Sequence, residues 1–281
     1  MEEIILKNKK HGMSVLLITI AVYILAIAGV IAGAASGYAA VTIVSVAALV
    51  IFMWVPMGLK VLKPQEALVL TLFGKYVGTL KGEGFYFVNP FCTAVNPAAK
   101  TKLNQSGDVD SHSGPLTLKS ATGSSETLSN KISLKIMTLN NNRQKINDCL
   151  GNPVEIGIAV MWRVVDTAKA AFNVDNYKEY LSLQCDSALR NIVRVYPYDV
   201  APNVDTTGDG VADEGSLRGS SEIVASRIRD EIQQKVAQAG LEILEARITY
   251  LAYAPEIAAV MLQRQQASAI IDARKMIVDG A

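Results

Sequence analysis

Between residues 11 and 59 the chain carries no Asp, Glu, Lys or Arg, and this run of 49 uncharged residues limits what its N-terminal part can fold into. A bilayer core about 30 Å thick is crossed by roughly 20 helical residues. One span cannot use the whole run, whereas two spans and a tight reversal fit it. The expected spans are residues 13–35 and 38–57, with the reversal at Gly33-Ala34-Ala35-Ser36-Gly37-Tyr38. There the small residues permit a sharp turn and Tyr38 suits the lipid–water interface, while Trp54 and Pro56 suit the second exit. A cleavable secretory signal shares the opening pattern of lysines, an apolar run and small residues, but its apolar core is roughly 7–15 residues long. The first run here is longer and leads straight into a second, so a hairpin is expected.

Charge sets the side. Lys7, Lys9 and Lys10 precede the pair, Lys60 and Lys63 follow it, and the turn between carries no basic residue. Basic residues stay on the cytosolic side, which makes both ends of the hairpin cytosolic, and an even number of spans requires the same return. Cys92, Cys149 and Cys185 then lie in a reducing compartment and are expected as free thiols. Gly29, Gly33 and Gly37 recur every four residues, a smooth stripe suited to close helix packing against Ala40, Ala47 and Ala48 of the second span.

After the hairpin the periodicity changes. From Glu66, Leu68, Leu70 and Leu72 alternate with Val69 and Phe73 as in a strand, and Gly74 and Gly78 mark turns. Gly82-Glu83-Gly84-Phe85-Tyr86-Phe87-Val88-Asn89-Pro90-Phe91 reads as a glycine turn, an aromatic strand and a proline stop. Residues 101–130 are rich in Ser, Thr, Gly and Asp and are expected as exposed hairpins or loops. Lys131-Ile132-Ser133-Leu134-Lys135-Ile136 follows. Asn140-Asn141-Asn142 and Asn152-Pro153 then bracket a hairpin candidate.

Residues 154–165 are the clearest strand, with Val154, Ile156, Ile158, Val160, Trp162 and Val164 on one face. A helix capped by Asp175 is expected through Tyr177, Leu181, Ala188, Leu189 and Ile192, ended by Pro197. Another starts near Ser220 or Ser221, carries Val224, Ile228, Ile232 and Val236 on one stripe and stops at Gly240. Residues 241–251 return as a strand. Ala254-Pro255-Glu256 opens a long alanine-rich helix with no breaker before Gly280. Its apolar groups do not form a strict heptad. Its last turn has no convincing cap, so a helix running past Ala281 is expected.

These segments resemble the SPFH superfamily, also called band 7, which comprises stomatins, prohibitins, flotillins and bacterial relatives. The resemblance is carried by Val61-Leu62-Lys63-Pro64-Gln65-Glu66-Ala67, Phe73-Gly74-Lys75-Tyr76-Val77-Gly78-Thr79-Leu80 and the aromatic run ending Asn89-Pro90-Phe91. Gly151-Asn152-Pro153-Val154-Glu155-Ile156, Val160-Met161-Trp162-Arg163-Val164-Val165-Asp166, Ala188-Leu189-Arg190 and Tyr196-Pro197-Tyr198-Asp199 extend it. Leu241-Glu242-Ile243-Leu244-Glu245-Ala246-Arg247-Ile248 and Gln263-Arg264-Gln265-Gln266-Ala267 complete it.

The resemblance covers roughly residues 60–281 and implies an α+β fold. A two-part SPFH domain (60–150, β-rich, and 151–253, α/β) stands behind the transmembrane hairpin (1–59) and ahead of an oligomerising helix (254–281). It also implies a membrane-contact role for Phe85, Tyr86, Phe87 and Phe91, against the plainer alternative of buried core, and makes Met261, Arg264, Ile271 and Ile277 candidates for helix association. Proteins of this family are membrane scaffolds rather than enzymes. The implied function is an oligomeric ring or cage in a bacterial inner membrane, confining lipids or membrane proteins in a microdomain. The alternative is a regulatory subunit restraining a membrane protease or chaperone.

Chemistry gives little competition. His11 and His112 are the two histidines, the cysteines lie 57 and 36 positions apart, and no Walker loop, dinucleotide fingerprint or HExxH occurs. No catalytic residue, cofactor or metal is therefore expected. Asp205-Thr206-Thr207-Gly208-Asp209-Gly210-Val211-Ala212-Asp213 has the oxygens and glycine of a calcium loop, but Ser216 stands where the bidentate Glu belongs, so a solvated turn is the expectation. A net charge of +1 without a basic stripe excludes a nucleic-acid partner. The expected partners are further copies of the chain, lipids and membrane-protein clients.

Overall fold

A computed structural model describes residues 2–6, 11–101, 130–141, 143–199 and 215–279. The uncharged run forms two helices, α1 (Gly12–Ser36) and α2 (Ala39–Phe52), reversed at Gly37, whose φ of 69° is readily adopted by glycine. α2 stops short of the expected 57 and passes into a 3-10 turn, Val55–Gly58. Proline explains the change: Pro56 has no N–H to offer the Phe52 carbonyl four residues back. The Tyr23 hydroxyl of α1 donates to that carbonyl instead, at 3.0 Å. Gly12–Ser36 and Ala39–Gly58, the latter including the 3-10 turn, are each long and apolar enough to cross a bilayer.

The chain leaves the hairpin as β1 (Leu59–Leu62), antiparallel to β4 (Gly84–Phe87). Between them β2 (Glu66–Leu72) and β3 (Lys75–Lys81) form a hairpin. Its two loop residues, Phe73 and Gly74, both have positive φ, 49° and 83°. That geometry matches the twist of the strands, and it places Phe73 in the turn, almost fully exposed, rather than in the strand the alternation suggested. β5 (Thr93–Val95) and β6 (Ile132–Ser133) also pair with β2, giving a sheet in the order β3-β2-β5.

A second antiparallel sheet is built on β9 (Pro153–Val164). On one side β9 takes β10 (Leu241–Tyr253), and on the other β7 (Met137–Asn140) followed by β8 (Gln144–Asn147). The hairpin expected between the Asn140-Asn141-Asn142 run and Asn152-Pro153 is β8 with the start of β9, reversed between Asn147 and Pro153, while β7 runs in line with β8 along β9. β7 and β8 lie within residues 60–150, yet by strand pairing they go with β9 and β10.

Helices α3 (Thr167–Phe172), α4 (Tyr177–Val193) and α5 (Ser221–Val236) cover this sheet, and α6 (Pro255–Asp279) leaves it. The alternating face of β9, from Val154 to Val164, is buried as expected, and it shares one core with Leu181, Cys185 and Leu189 of α4. Val224, Ile228, Ile232 and Val236 of α5 complete that core. β2 is buried on both faces: Val69 joins the large core, while Leu68 and Leu70 join a smaller one with Leu62, Leu80, Tyr86 and Val88. The cap of α4 is Asn176, not Asp175; its side-chain oxygen accepts from the N–H of Lys178 at 3.2 Å and of Glu179 at 3.4 Å. Gly240, with φ 69°, closes the α5 end as expected. A Cβ there would stand 2.3 Å from the Asp166 carbonyl oxygen.

Candidate membrane anchor and assembly surface

The buried residues of α1 are Gly12, Thr19, Ala26 and Gly33. They are all small and spaced by seven, so a single side of the helix faces its neighbours throughout. Of the stripe expected from the sequence, Gly33 and Gly29 do lie against α2. A Cβ on Gly33 would meet Thr42 Oγ1 at 2.5 Å and Thr42 N at 3.0 Å, and one on Gly29 would meet Ser45 Oγ at 2.4 Å. The α2 atoms nearest these two positions belong to Thr42 and Ser45. Gly37 has nothing within 4 Å of its Cβ position and serves the turn rather than the packing. The seven-residue spacing of small residues was visible in the sequence, but a four-residue glycine pattern masks it.

The base of the hairpin rests on the β1–β4 ribbon. A Cβ on Gly12 would stand 2.8 Å from the Phe85 carbonyl oxygen, and one on Gly58 2.2 Å from that of Val88. Both glycines permit backbone-to-backbone contact. The four aromatic candidates divide. Tyr86 is 1% exposed, and its hydroxyl donates to the carbonyls of Lys81 and Gly82 at 3.3 Å, so it is a core residue and leaves the membrane-contact set. Strand alternation turns it inward, while Phe85 and Phe87 are half-buried. Phe91 is exposed and stacks on Trp54 at the end of the second span, ring centroids 6.0 Å apart. The surface with apolar character beside the hairpin exit is therefore Phe85, Phe87, Phe91 and Trp54.

At the other end, the contacts that hold α6 among the described residues lie in its first half. The Ala254 N–H donates to the Pro153 carbonyl at 2.9 Å, Glu256 pairs with Lys145, and Gln265 donates to Asp199 at 2.9 Å. The Tyr253 ring lies 3.9 Å from that of Tyr198. Burial, reinforced by the carboxylates of Asp199 and Asp148, pushes the Tyr253 phenol up to about 12, so it remains neutral at this junction. Beyond Gln265 the described side chains of the helix are exposed. Met261 is half-buried, whereas Arg264, Ile271 and Ile277 are exposed, together with Val260, Leu262, Ile270, Met276 and Val278.

Spacing along α6 forms two seams. Ile257, Val260, Arg264, Ala267, Ile271, Arg274 and Val278 alternate steps of three and four, and Ala259, Gln263, Gln266, Ile270, Ala273 and Ile277 do the same one residue, about 100°, away. Arginines in the first seam and glutamines in the second are what break a strict heptad.

Among the described residues no group of three or more His, Cys, Asp or Glu is placed to hold a metal. His112 and the loop 205–213 lie outside the described residues, as does most of 101–130. Cys92, Cys149 and Cys185 are free thiols. A groove of about 480 Å³ runs between α5 and β10. Its cations are already engaged, Arg229 with Asp230 at 2.6 Å and Arg247 with Glu245 at 2.5 Å.

Comparison with curated proteins gives no match. The SPFH domain / Band 7 family model, in contrast, matches residues 60–277, the whole of the strand and helix assembly that follows the hairpin. The chain belongs to the SPFH domain / Band 7 family.

Proposed function

We propose that this chain is the subunit of a membrane scaffold: many copies, anchored by their hairpins in a bacterial inner membrane, associate through α6 into a ring or cage that confines lipids or membrane proteins. The carrying observation is the exposed length of α6 with its two seams. A helix in a closed ring touches a different neighbour on each side and needs two unlike faces, whereas a paired coil needs one. Apolar side chains such as Ile271 on one seam and Ile277 on the other are exposed among the described residues and gain most by burial against other copies.

The hairpin supports the membrane part of the reading. Its two ends rest on the same ribbon, consistent with the cytosolic placement of both termini drawn from the lysines, and Phe91 and Trp54 form an aromatic pair at the level where such rings favour the interface. The family consists in general of scaffolds that lack catalysis, and the fold around β9 is organised for packing.

Light scattering and electron microscopy of the full chain in mild detergent test this. The expected particle contains many subunits, and Ile271→Glu and Ile277→Glu each reduce it to small species. A wild-type monomer across concentrations would overturn the scaffold. Loss with only one of the two substitutions would show paired helices instead of a ring. A membrane protease recovered in fixed ratio with single subunits would favour the regulatory alternative.

A further inference from the structure

The segment ahead of the first span is docked. Ile5 forms a parallel bridge to Thr79 of β3. The Thr79 N–H donates to the Ile4 carbonyl at 2.8 Å, and the Leu6 N–H donates to the Thr79 carbonyl at 3.0 Å. The Ile4 N–H donates to the Tyr76 hydroxyl at 3.3 Å. Because β3 ends its sheet, residues 2–6 extend that sheet by one short strand. Gly78 makes the room: a Cβ there would stand 2.7 Å from Leu6 Cγ and 3.0 Å from the Ile4 carbonyl oxygen.

Glu3 reaches past this sheet to the next. Its side chain is only 13% exposed, and Oε2 lies 2.5 Å from Lys81 Nζ at the end of β3. Oε1 accepts the Thr167 N–H at 3.0 Å and the Thr167 hydroxyl as well. Lys81 also donates to the Val165 carbonyl at 2.9 Å, and the hydroxyls of Thr167 and Thr79 are 3.2 Å apart. Val165 and Thr167 lie where β9 passes into α3. A single carboxylate therefore joins the edge of one sheet to the start of the helix that leaves the other. Asp166 already caps α3 through the Lys169 N–H, so Glu3 serves a different donor.

We propose that residues 2–6 are a clasp that holds the two sheets together and ties their joint to the membrane hairpin. Residues 7–11 are all that separates the clasp from α1, and five residues reach at most about 18 Å. A displacement of α1 that draws this connection taut must pull on the strand at β3. Withdrawing Glu3 takes the counter-charge from the sheltered Lys81 ammonium, which keeps only the Val165 carbonyl, and leaves the Thr167 N–H without its acceptor, so release carries a cost that favours the seated clasp. Movement of the anchor in the membrane is thereby converted into a loosening of the joint between the sheets. This holds for a single subunit and does not depend on the assembly proposed above.

The test uses the full chain in lipid nanodiscs. Two variants weaken the clasp from its own side: Glu3→Ala removes the carboxylate, and Leu6→Pro removes the N–H given to Thr79. Hydrogen exchange is read at the Thr79 and Thr167 amides, with Ile228 and Ile232 in α5 as internal references. A spin-label pair at Lys75 and Glu222 reports the separation of the two sheets. The expected result is exchange at least tenfold faster at Thr79 and Thr167 and a broader distance distribution, with α5 as protected as in the wild type. Unchanged exchange at Thr79 and Thr167, or an unchanged distance distribution, would overturn the clasp. So would equal loss of protection in α5, which would make the segment an ordinary part of the global fold.

Discussion

Gly33 and Gly29 allow the packing of the hairpin to be tested quantitatively, because the same substitution meets different atoms at the two sites. A Cβ on Gly33 would lie 2.5 Å from Thr42 Oγ1, 3.0 Å from Thr42 N and 3.4 Å from Thr42 Cα. Rotating the threonine hydroxyl away removes only the first contact, and the backbone nitrogen remains. The helices must part by about half an ångström, and a gap of about 0.5–1 Å forfeits a quarter to a half of each dispersion contact it opens. Overpacking of this kind costs about 1–3 kcal/mol, offset by up to about 1 kcal/mol from alanine's better helix propensity. Gly33→Ala should therefore weaken the hairpin by about 1–2 kcal/mol, of the order of tenfold in its equilibrium.

At Gly29 the near atoms belong only to the Ser45 side chain, Oγ at 2.4 Å and Cβ at 3.4 Å, so a serine rotation relieves the contact. Gly29→Ala should be close to neutral. The assay is SDS titration of the full chain in mixed micelles, followed by energy transfer between dyes at Met13 and Met53, which are exposed near the exit ends of the two helices. Thr42→Ala in the Gly33→Ala background should restore part of the loss and not all of it. Equal costs at Gly29 and Gly33, or no cost at Gly33, would refute the argument that backbone approach sets the spacing.

Three further outcomes are expected. Asn176→Ala should lower thermal stability by about 1 kcal/mol through loss of the α4 cap, while Asp175→Ala should stay within about 0.5 kcal/mol of the wild type, as calorimetry of the detergent-solubilised chain would show. Thiol titration of the folded protein should find Cys149 accessible and Cys92 and Cys185 protected. Burial and then the adjacent Asp186 push the Cys185 thiol up to about 12, so raising the pH to about 9 should not expose it, and rapid labelling of all three would show a looser core. Desolvation opposes ionisation of Glu66, but the hydrogen bond from Lys131 at 2.9 Å and the Lys63 N–H outweigh it and hold the carboxyl below its ordinary range. A depressed carboxyl contributes stability above its unfolded pKa and loses it as the pH falls through the folded value. The cost of Glu66→Gln, a few tenths of a kcal/mol for a pair near the surface, should thus fade between about pH 6 and below about pH 4, and a cost that grows with acidification would contradict the assignment.

The elements most legible in the sequence are those where burial imposes one period without interruption. Bilayer thickness dictates the uncharged run, and a sheet covered on one face dictates the alternation of β9. The stripe Val224, Ile228, Ile232 and Val236 is dictated by α5 lying on that same core. The elements misread are those decided by a choice between neighbours. Asp175 and Asn176 are both good caps, and the chain selects whichever side chain points back at the first turn. Phe73 continues the apolar alternation of β2, yet a two-residue turn with both φ values positive takes it out of the strand.

The anchor shows the same division at the level of function. That two helices pack through small residues was readable, and Gly29 and Gly33 of the expected stripe do lie against α2, but the buried side of α1 follows Gly12, Thr19, Ala26 and Gly33 and shares only Gly33 with that stripe. The buried set follows from where α1 meets α2 and from where Gly12 lands on Phe85 of β4, contacts made with residues farther along the chain. The aromatic strand behaves likewise: four rings in seven positions suggest a single membrane-facing patch, but strand alternation must turn Tyr86 inward if Phe85 and Phe87 point outward. Docking of residues 2–6 left no local signature, because a five-residue polar and apolar mixture becomes a strand only when Gly78 leaves a place for it. Its readable trace is chemical: Gly78, which makes the place, and Lys81, which pairs with Glu3, lie three residues apart on β3, so that one strand holds both the gap the segment fills and the charge that seats it.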